Sequence, residues 1–342
     1  VNRAWLVIGQ IAFTYIGTVV GAGFASGQEI LHFFTRYGSY GTLGIILSTG
    51  LFVWLGARIM RLAHRIGAYS YQEFNAYLFG PALGRLVNVF MPLILLGVTS
   101  VMLSGTGAIF REQLGLPYQA GILVTLALTY FVIARGISGI LAVNSLVVPL
   151  MLLFTVLLAL DLLRDPQPAL SPSPPPHDGG RWSIAPFTYV AFNLAMALSV
   201  LVPLGSEMNT ARVLTWGGWW GGIGLGIMLL VNHLVMAAEG AGIFQFEIPM
   251  ARIVRELGQA AQLLFLLVVY GEIFTTLIAN IYGLARQFQQ LLRWPEKPLI
   301  LALLAVSFLI SQFGFDTLVT YLYPAFGYVG LALLVMAALK RG

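Results

Sequence analysis

No cysteine occurs in this chain of 342 residues. That excludes disulfides and thiolate metal sites, and it leaves the redox compartment unread. Charge is scarce as well: Asp, Glu, Lys and Arg make up 9% of the residues, against about 25% in soluble domains. The four histidines, His32, His64, His177 and His233, have no metal-ligand spacing. No HExxH, GxSxG or phosphate-loop motif is present, so neither a hydrolytic centre nor direct ATP drive is expected. Hydrophobic residues fill the space instead, at 58%, with a mean hydropathy of +0.87. A soluble fold of this length could not bury so much apolar surface, so a polytopic protein of the lipid bilayer is expected. The net charge of +5 and pI near 9.5 do not point to nucleic acid, because the basic residues fall at the ends of apolar runs. A signal peptide is not expected, since apolar residues start almost at once and continue past Phe33.

Apolar runs of about 20 residues predict ten membrane helices. They lie near 4–36, 40–63, 83–112, 117–135, 138–163, 186–215, 217–240, 259–285, 297–313 and 317–339. After the fifth comes "RDPQPALSPSPPPHDGGRW", whose prolines predict an extended, semi-rigid connection. The chain thus divides into residues 1–163, an outer Pro-rich loop at 164–185, and residues 186–342. With the N-terminus inside, twelve of the eighteen Lys and Arg residues fall on the cytoplasmic side, led by Arg58, Arg61 and Arg65. Both termini are then cytoplasmic. Five helices per half place the second half upside down relative to the first, as an inverted repeat requires.

Two of these helices contain residues that weaken helices. The first carries "VGAGFASGQE" at 20–29 and the sixth carries "LVPLGSEMN" at 201–209. Small residues interrupt each run, and a carboxylate follows, Glu29 or Glu207. Matched interruptions in two halves point to a transporter binding site, because freed backbone groups inside a membrane must line a cavity or hold a ligand. In the first helix the carbonyls from Gly17 to Val20 would favour a cation. The N–H groups of the outer half-helix, starting near Ser26, would favour a carboxylate. The predicted substrate contacts are Gly21, Ala22, Gly23, Phe24, Ala25 and Ser26, with Gly205, Ser206 and Glu207 across from them. Close helix packing through small residues is the competing explanation.

The string "VVGAGFASGQE" resembles the first-helix motif of the LeuT-type fold in the amino acid–polyamine–organocation superfamily, and more narrowly the YkvI-type amino acid permeases of bacteria. That resemblance implies an all-α membrane protein of ten helices in a five-plus-five inverted repeat, with helices one and six interrupted. It also implies secondary transport of an amino acid or related zwitterion by alternating access. Sodium-coupled members share an ion site. Carried onto this chain, its ligands are the carbonyls of Gly17, Val20 and Glu272 and the hydroxyls of Thr275 and Thr276. Oxygen ligands suit a hard cation, although a Thr pair alone is better explained by bonding back to its own helix; the break in the first helix tips the reading to the ion site. A second sodium site of some relatives has an Asn where this chain has Phe24. The fifth helix also lacks the Lys of proton-coupled relatives. Sodium is therefore the expected coupling ion, and no other cofactor is expected. The alternative is a proton carried by Glu29, Glu207 or Glu272, with an amino acid or organic cation as substrate.

Other polar residues have plainer expectations. Ser100 and Ser104 read as packing positions in the third helix, and Glu239 as interfacial. Phe24 and Phe192 are packing residues first and pocket candidates second. Trp216, Trp219 and Trp220 fit an interfacial anchor. The segment "FEIPMARIVRELG" at 246–258 is amphipathic and suits a lid over the outer vestibule. A channel would need a continuous polar pore, which the apolar runs do not supply. Substrate identity and oligomeric state stay open.

Overall fold

In a bilayer every backbone polar group needs an internal partner, so the long apolar runs fold as helices. The computed structural model describes residues 2–135, 140–164, 180–208, 210–292 and 295–340, and no strand occurs among them. The predicted extended loop falls at 165–179, outside the described residues, as does His177.

The first run is not one helix. It divides into α1 (Asn2–Val19), α2 (Ala22–Ser26) and α3 (Gln28–Phe33). Next come α4 (Ser39–Leu51) and α5 (Ala57–Ile66), joined through a π-helical turn at Phe52–Gly56. The long α6 (Tyr71–Ala108) turns sharply at Gly80, whose φ of 78° favours glycine. It is followed by α7 (Tyr118–Arg135) and α8 (Ile140–Arg164). Beyond residues 165–179 lie α9 (Arg181–Glu207), α10 (Ala211–Ala238) and the short α11 (Pro249–Val254). The chain continues through α12 (Gln259–Leu292), α13 (Glu296–Ser311) and α14 (Phe315–Leu339).

Six described helices are long and apolar enough to cross a membrane, and three more apolar helices are shorter. One of the shorter ones is the stretch Ala4–Val19, which the break at Val20 cuts off.

The sixth predicted helix differs from expectation. The interruption expected within 201–209 does not open the helix in mid-span: α9 is helical from Arg181 through Glu207 with Pro186 and Pro203 inside it, and the helix is left only beyond Glu207. The helix ends only at Met208, and α10 starts at Ala211. Pro203 lacks an N–H, yet a membrane helix tolerates such a residue where local adjustment re-satisfies the freed carbonyl. The Pro-Leu-Gly sequence marks the approach to a helix end rather than a break in mid-span.

Packing gathers the helices around α9, α10 and α14. Helix α9 lies against α14, α5, α4 and α1, whereas α10 lies against α1 and the continuous α4–α5 rod. Glycines make these contacts close. A side chain at Gly221 would overlap Tyr15 of α1, and one at Gly222 would overlap Val53. The π-helical turn frees the Phe52 carbonyl, which accepts a hydrogen bond from the Tyr15 hydroxyl at 3.0 Å. On the other side, α12 packs with α6, α8 and α13.

Candidate functional site

The backbone ladder of the first helix stops at Val20, whose N–H still reaches the Ile16 carbonyl at 2.8 Å. It restarts with the Ala25 N–H on the Gly21 carbonyl, also at 2.8 Å. Between them Gly21 is extended, with φ −113° and ψ −172°. The carbonyls of Gly17, Thr18, Val19 and Val20 accept no backbone hydrogen bond from the described residues across this gap. A second interruption follows at Gly27, where φ is 89°. The outer half-helix therefore starts at Ala22, not at Ser26, and is itself two pieces. Ser26 holds the second turn together: its hydroxyl donates to the Gly23 carbonyl at 3.1 Å and accepts from the Gln28 N–H at 3.3 Å.

The two sides of the gap differ in exposure. Ala22, Phe24, Ala25 and Ser26 are all at most 1% exposed, whereas Gly17, Thr18 and Gly21 keep partial exposure. Helix α2 packs on α12, α6 and α11. Phe24 is core, and Phe192 stacks on Tyr323 at 4.4 Å, so both aromatics serve packing.

Glu29 is the polar centre of the region. Its side chain folds back against Gly23, where an added methyl group would overlap it. The carboxyl is directed at the Phe24 N–H, the Tyr189 hydroxyl and the Asn193 amide. Even so, Glu29 Oε2, the Tyr189 hydroxyl and the Tyr323 hydroxyl lack a hydrogen-bond partner among the described residues. Glu29 is 3% exposed and both tyrosines 0%. Leaving a buried polar atom unpaired costs about 1–3 kcal/mol. Three such atoms, from α3, α9 and α14, lie close enough for the Glu29 carboxyl to act on both tyrosines. Tyr189, Asn193 and Tyr323 escaped sequence reading; their only signal was a polar group in an otherwise apolar run.

Helix α2, directly after the gap, packs on α12, the helix that carries Glu272, Thr275 and Thr276. Glu272 and Thr275 are buried, at 5% and 3% exposure, and Thr276 is partly exposed. The Thr275 hydroxyl donates to the Glu272 carbonyl at 3.2 Å, the back-bonding that the Thr pair alone allows.

Gly205, Ser206 and Glu207 do not face this site. Ser206 donates to the Ala63 carbonyl at 3.1 Å and to the Ala68 carbonyl at 2.5 Å, at the end of α5. Gly205 abuts the Met60 backbone, and Glu207 is exposed. Because α9 is unbroken, Ser206 sits thirteen residues beyond Asn193, roughly 20 Å along the axis. The substrate contacts predicted at 205–207 are thus displaced to one end of the bundle.

At the other end the segment 240–257 closes over the break. Glu112 accepts the N–H groups of Glu247 and Ile248, each at 2.9 Å, and Arg111 pairs with Glu247 at 2.5 Å. Met250 packs on Gly27. Gln28 donates to the Phe246 carbonyl at 3.1 Å, and His32 meets Asp316 at 2.8 Å. Glu239 lies just beyond α10 and is partly exposed. Desolvation, and then the nearby Glu256, push its carboxyl above the ordinary range. Ser100 and Ser104 are packing residues: Ser100 bonds to the Leu96 carbonyl and Ser104 to the Tyr118 hydroxyl.

Comparison with known proteins places this architecture. The uncharacterized membrane protein YkvI of Bacillus subtilis is 43% identical over 333 residues, 97% of this chain and 95% of YkvI. The chain belongs to the YkvI family. The uncharacterized protein YyaD of the same bacterium is similar to this YkvI relative at 26% identity over 322 residues, 94% of this chain and 93% of YyaD. No family model matches. Among solved structures, the fold is similar to the inward-facing conformation of Mhp1, with a TM-score of 0.60 at 16% identity over 96% of this chain and 75% of that one. Mhp1 is a LeuT-fold transporter. This YkvI relative is accordingly an all-helical membrane protein of LeuT-type fold.

Proposed function

We propose that this protein is a secondary transporter that moves an amino acid or related small zwitterion by alternating access, coupled to sodium. The observation that carries the reading is the gap at Val20–Gly21. Carbonyls with no backbone partner end one half-helix there, and fresh N–H groups begin the next. Such a gap is affordable in a membrane only where it binds something. The substrate carboxylate would take the N–H groups at Gly21–Gly23. Sodium would take the Gly17, Val20 and Glu272 carbonyls with the Thr275 and Thr276 hydroxyls. Burial of α2 and α3, against partial exposure of Gly17 and Gly21, favours access from the α1 side, in keeping with the inward-facing Mhp1 likeness.

The five-plus-five inverted repeat of ten helices and the cytoplasmic termini in a bacterial inner membrane belong to the same proposal. They rest on the Mhp1 likeness and on the sorting of basic residues, and no longer on matched breaks. A second reading has one observation in its favour. The unpartnered Glu29 Oε2 beside two unpartnered tyrosine hydroxyls suits a group that takes up and releases a proton, or holds a substrate ammonium.

Uptake of individual labelled amino acids into proteoliposomes separates these readings. An inward sodium gradient should drive accumulation, and Thr276→Ala should raise the sodium requirement at least ten-fold. Uptake that follows a pH gradient alone, and is lost in Glu29→Gln, would replace sodium with the proton. No uptake of any amino acid would remove the substrate class.

A further inference from the structure

At the end of the bundle opposite the lid, a cavity of about 610 Å³ is lined by Arg58, Arg61, His64 and Arg65 of α5, with Leu62 beneath them. Ala211 at the start of α10 and Lys340 just past α14 complete the wall. The four basic positions on α5 recur at three- and four-residue spacing, so they share one helix face. Two of the cations are fixed in place. Arg58 donates from Nε to the Ala337 carbonyl at 2.6 Å and from Nη2 to the Lys340 carbonyl at 2.8 Å. Lys340 Nζ reaches the Leu78 carbonyl at 3.4 Å and lies over the Tyr77 ring.

Among the described residues these cations form no ion pair with a carboxylate. The ion pairs among the described residues are His32–Asp316, Arg111–Glu247 and Arg252–Glu256, and none of them is here. Two acids of the described residues near this end are otherwise placed: Glu73 accepts from the Tyr69 N–H at 2.8 Å, and Glu207 is exposed outside the cavity wall. The positive-inside bias alone accounts for basic residues at this end. It does not account for their convergence, from α5 and from the end of α14, on one concave space that Leu62 and Ala211 also line. Thr210 also leaves the first turn of α10 without a side-chain cap, so that turn adds partial positive charge beside the arginines.

We propose that this cavity binds a phosphate group, carried either by an anionic phospholipid headgroup or by a soluble phosphate monoester. Arg61 and Arg65 would hold the phosphate oxygens through charge-assisted hydrogen bonds, and Leu62 would meet the adjoining apolar part of a lipid. Basic pockets of this kind at a membrane end are suited to lipid headgroups. The site stands apart from the transport reading and survives its failure.

The test uses the full chain in neutral detergent, with native mass spectrometry to count bound molecules and thermal unfolding to rank them. Phosphatidylglycerol, phosphatidylcholine and glycerol 3-phosphate are added separately at matched concentration and ionic strength. Phosphatidylglycerol or glycerol 3-phosphate should bind and raise the melting temperature where phosphatidylcholine does not. Arg61→Gln/Arg65→Gln should weaken that binding at least ten-fold while leaving the melting temperature in phosphatidylcholine unchanged. Stabilisation by phosphatidylglycerol alone assigns the site to lipid, and stabilisation by glycerol 3-phosphate assigns it to a soluble ligand. If the double variant is poorly folded, the exposed Arg65→Gln alone is read by the mass-spectrometric count. Equal effects of phosphatidylcholine and the anions, or full binding in these variants, would overturn the proposal.

Discussion

Gly23 and Glu29 occupy each other's space. The Glu29 carboxyl lies where a Gly23 methyl group would sit, so Gly23→Ala should force the carboxyl out of its place beside Phe24, Tyr189 and Asn193. Uptake is expected to fall at least ten-fold with the protein still folded. Adding Glu29→Ala should recover thermal stability lost in Gly23→Ala, without recovering uptake; transport assays and melting curves on the same preparations check both. Glu29→Gln keeps the shape and removes the charge. Under sodium coupling it should retain sodium-dependent uptake. The sequence alone marked Glu29 as an embedded acid and Gly23 as a small residue in a weak helix. It did not reveal Tyr189, Asn193 and Tyr323 as neighbours. Convergence of side chains from α3, α9 and α14 depends on how each helix is rotated in the bundle, and local spacing does not encode that.

At the scale of elements, glycine and proline proved different as signals. In the first run, extended Gly21 and left-handed Gly27 each stand at a real interruption, and the glycine spacing announced it. In the sixth, Pro203 and Gly205 stand inside continuous helix. Gly205 is there because Met60 of α5 leaves no room for a side chain, a packing reason that reads in sequence like a conformational one. Pro203→Ala tests the correction directly. It should leave uptake unchanged and raise the melting temperature, since proline inside a helix is disfavoured by about 3 kcal/mol; abolished uptake would return the sixth helix to the binding site. The lid offers a second test. One Glu112 carboxylate holds the backbone of residues 247 and 248. Glu112→Ala should raise hydrogen exchange at those two amides at least ten-fold, with little change in α9 or α10.

For the whole molecule, the membrane class, the helical architecture and the gathering of basic residues at one end were legible from composition and from the length of apolar runs. Which helices lie side by side was not. The glycines of α10 form two faces. Gly217, Gly221 and Gly224 receive Ile11, Tyr15 and Ile16 of α1, while Gly218, Gly222 and Gly226 receive Ala57, Val53 and Thr49. Gly222→Val would overlap the Val53 backbone and should destabilise the protein by about 1–3 kcal/mol, measurable as a lower unfolding midpoint in detergent.

These two glycine faces have a mechanical corollary for the gap in the first helix. Before the gap, α1 is clasped by α10; after it, α2 is clasped by α11 and α12. No backbone hydrogen bond among the described residues crosses from the Gly17–Val20 carbonyls to the next piece. The two pieces can therefore pivot about Val20–Gly21 without rupturing any rung of the ladder. The joint is already unfastened in the resting fold, so a swing there would cost no backbone hydrogen bond across it.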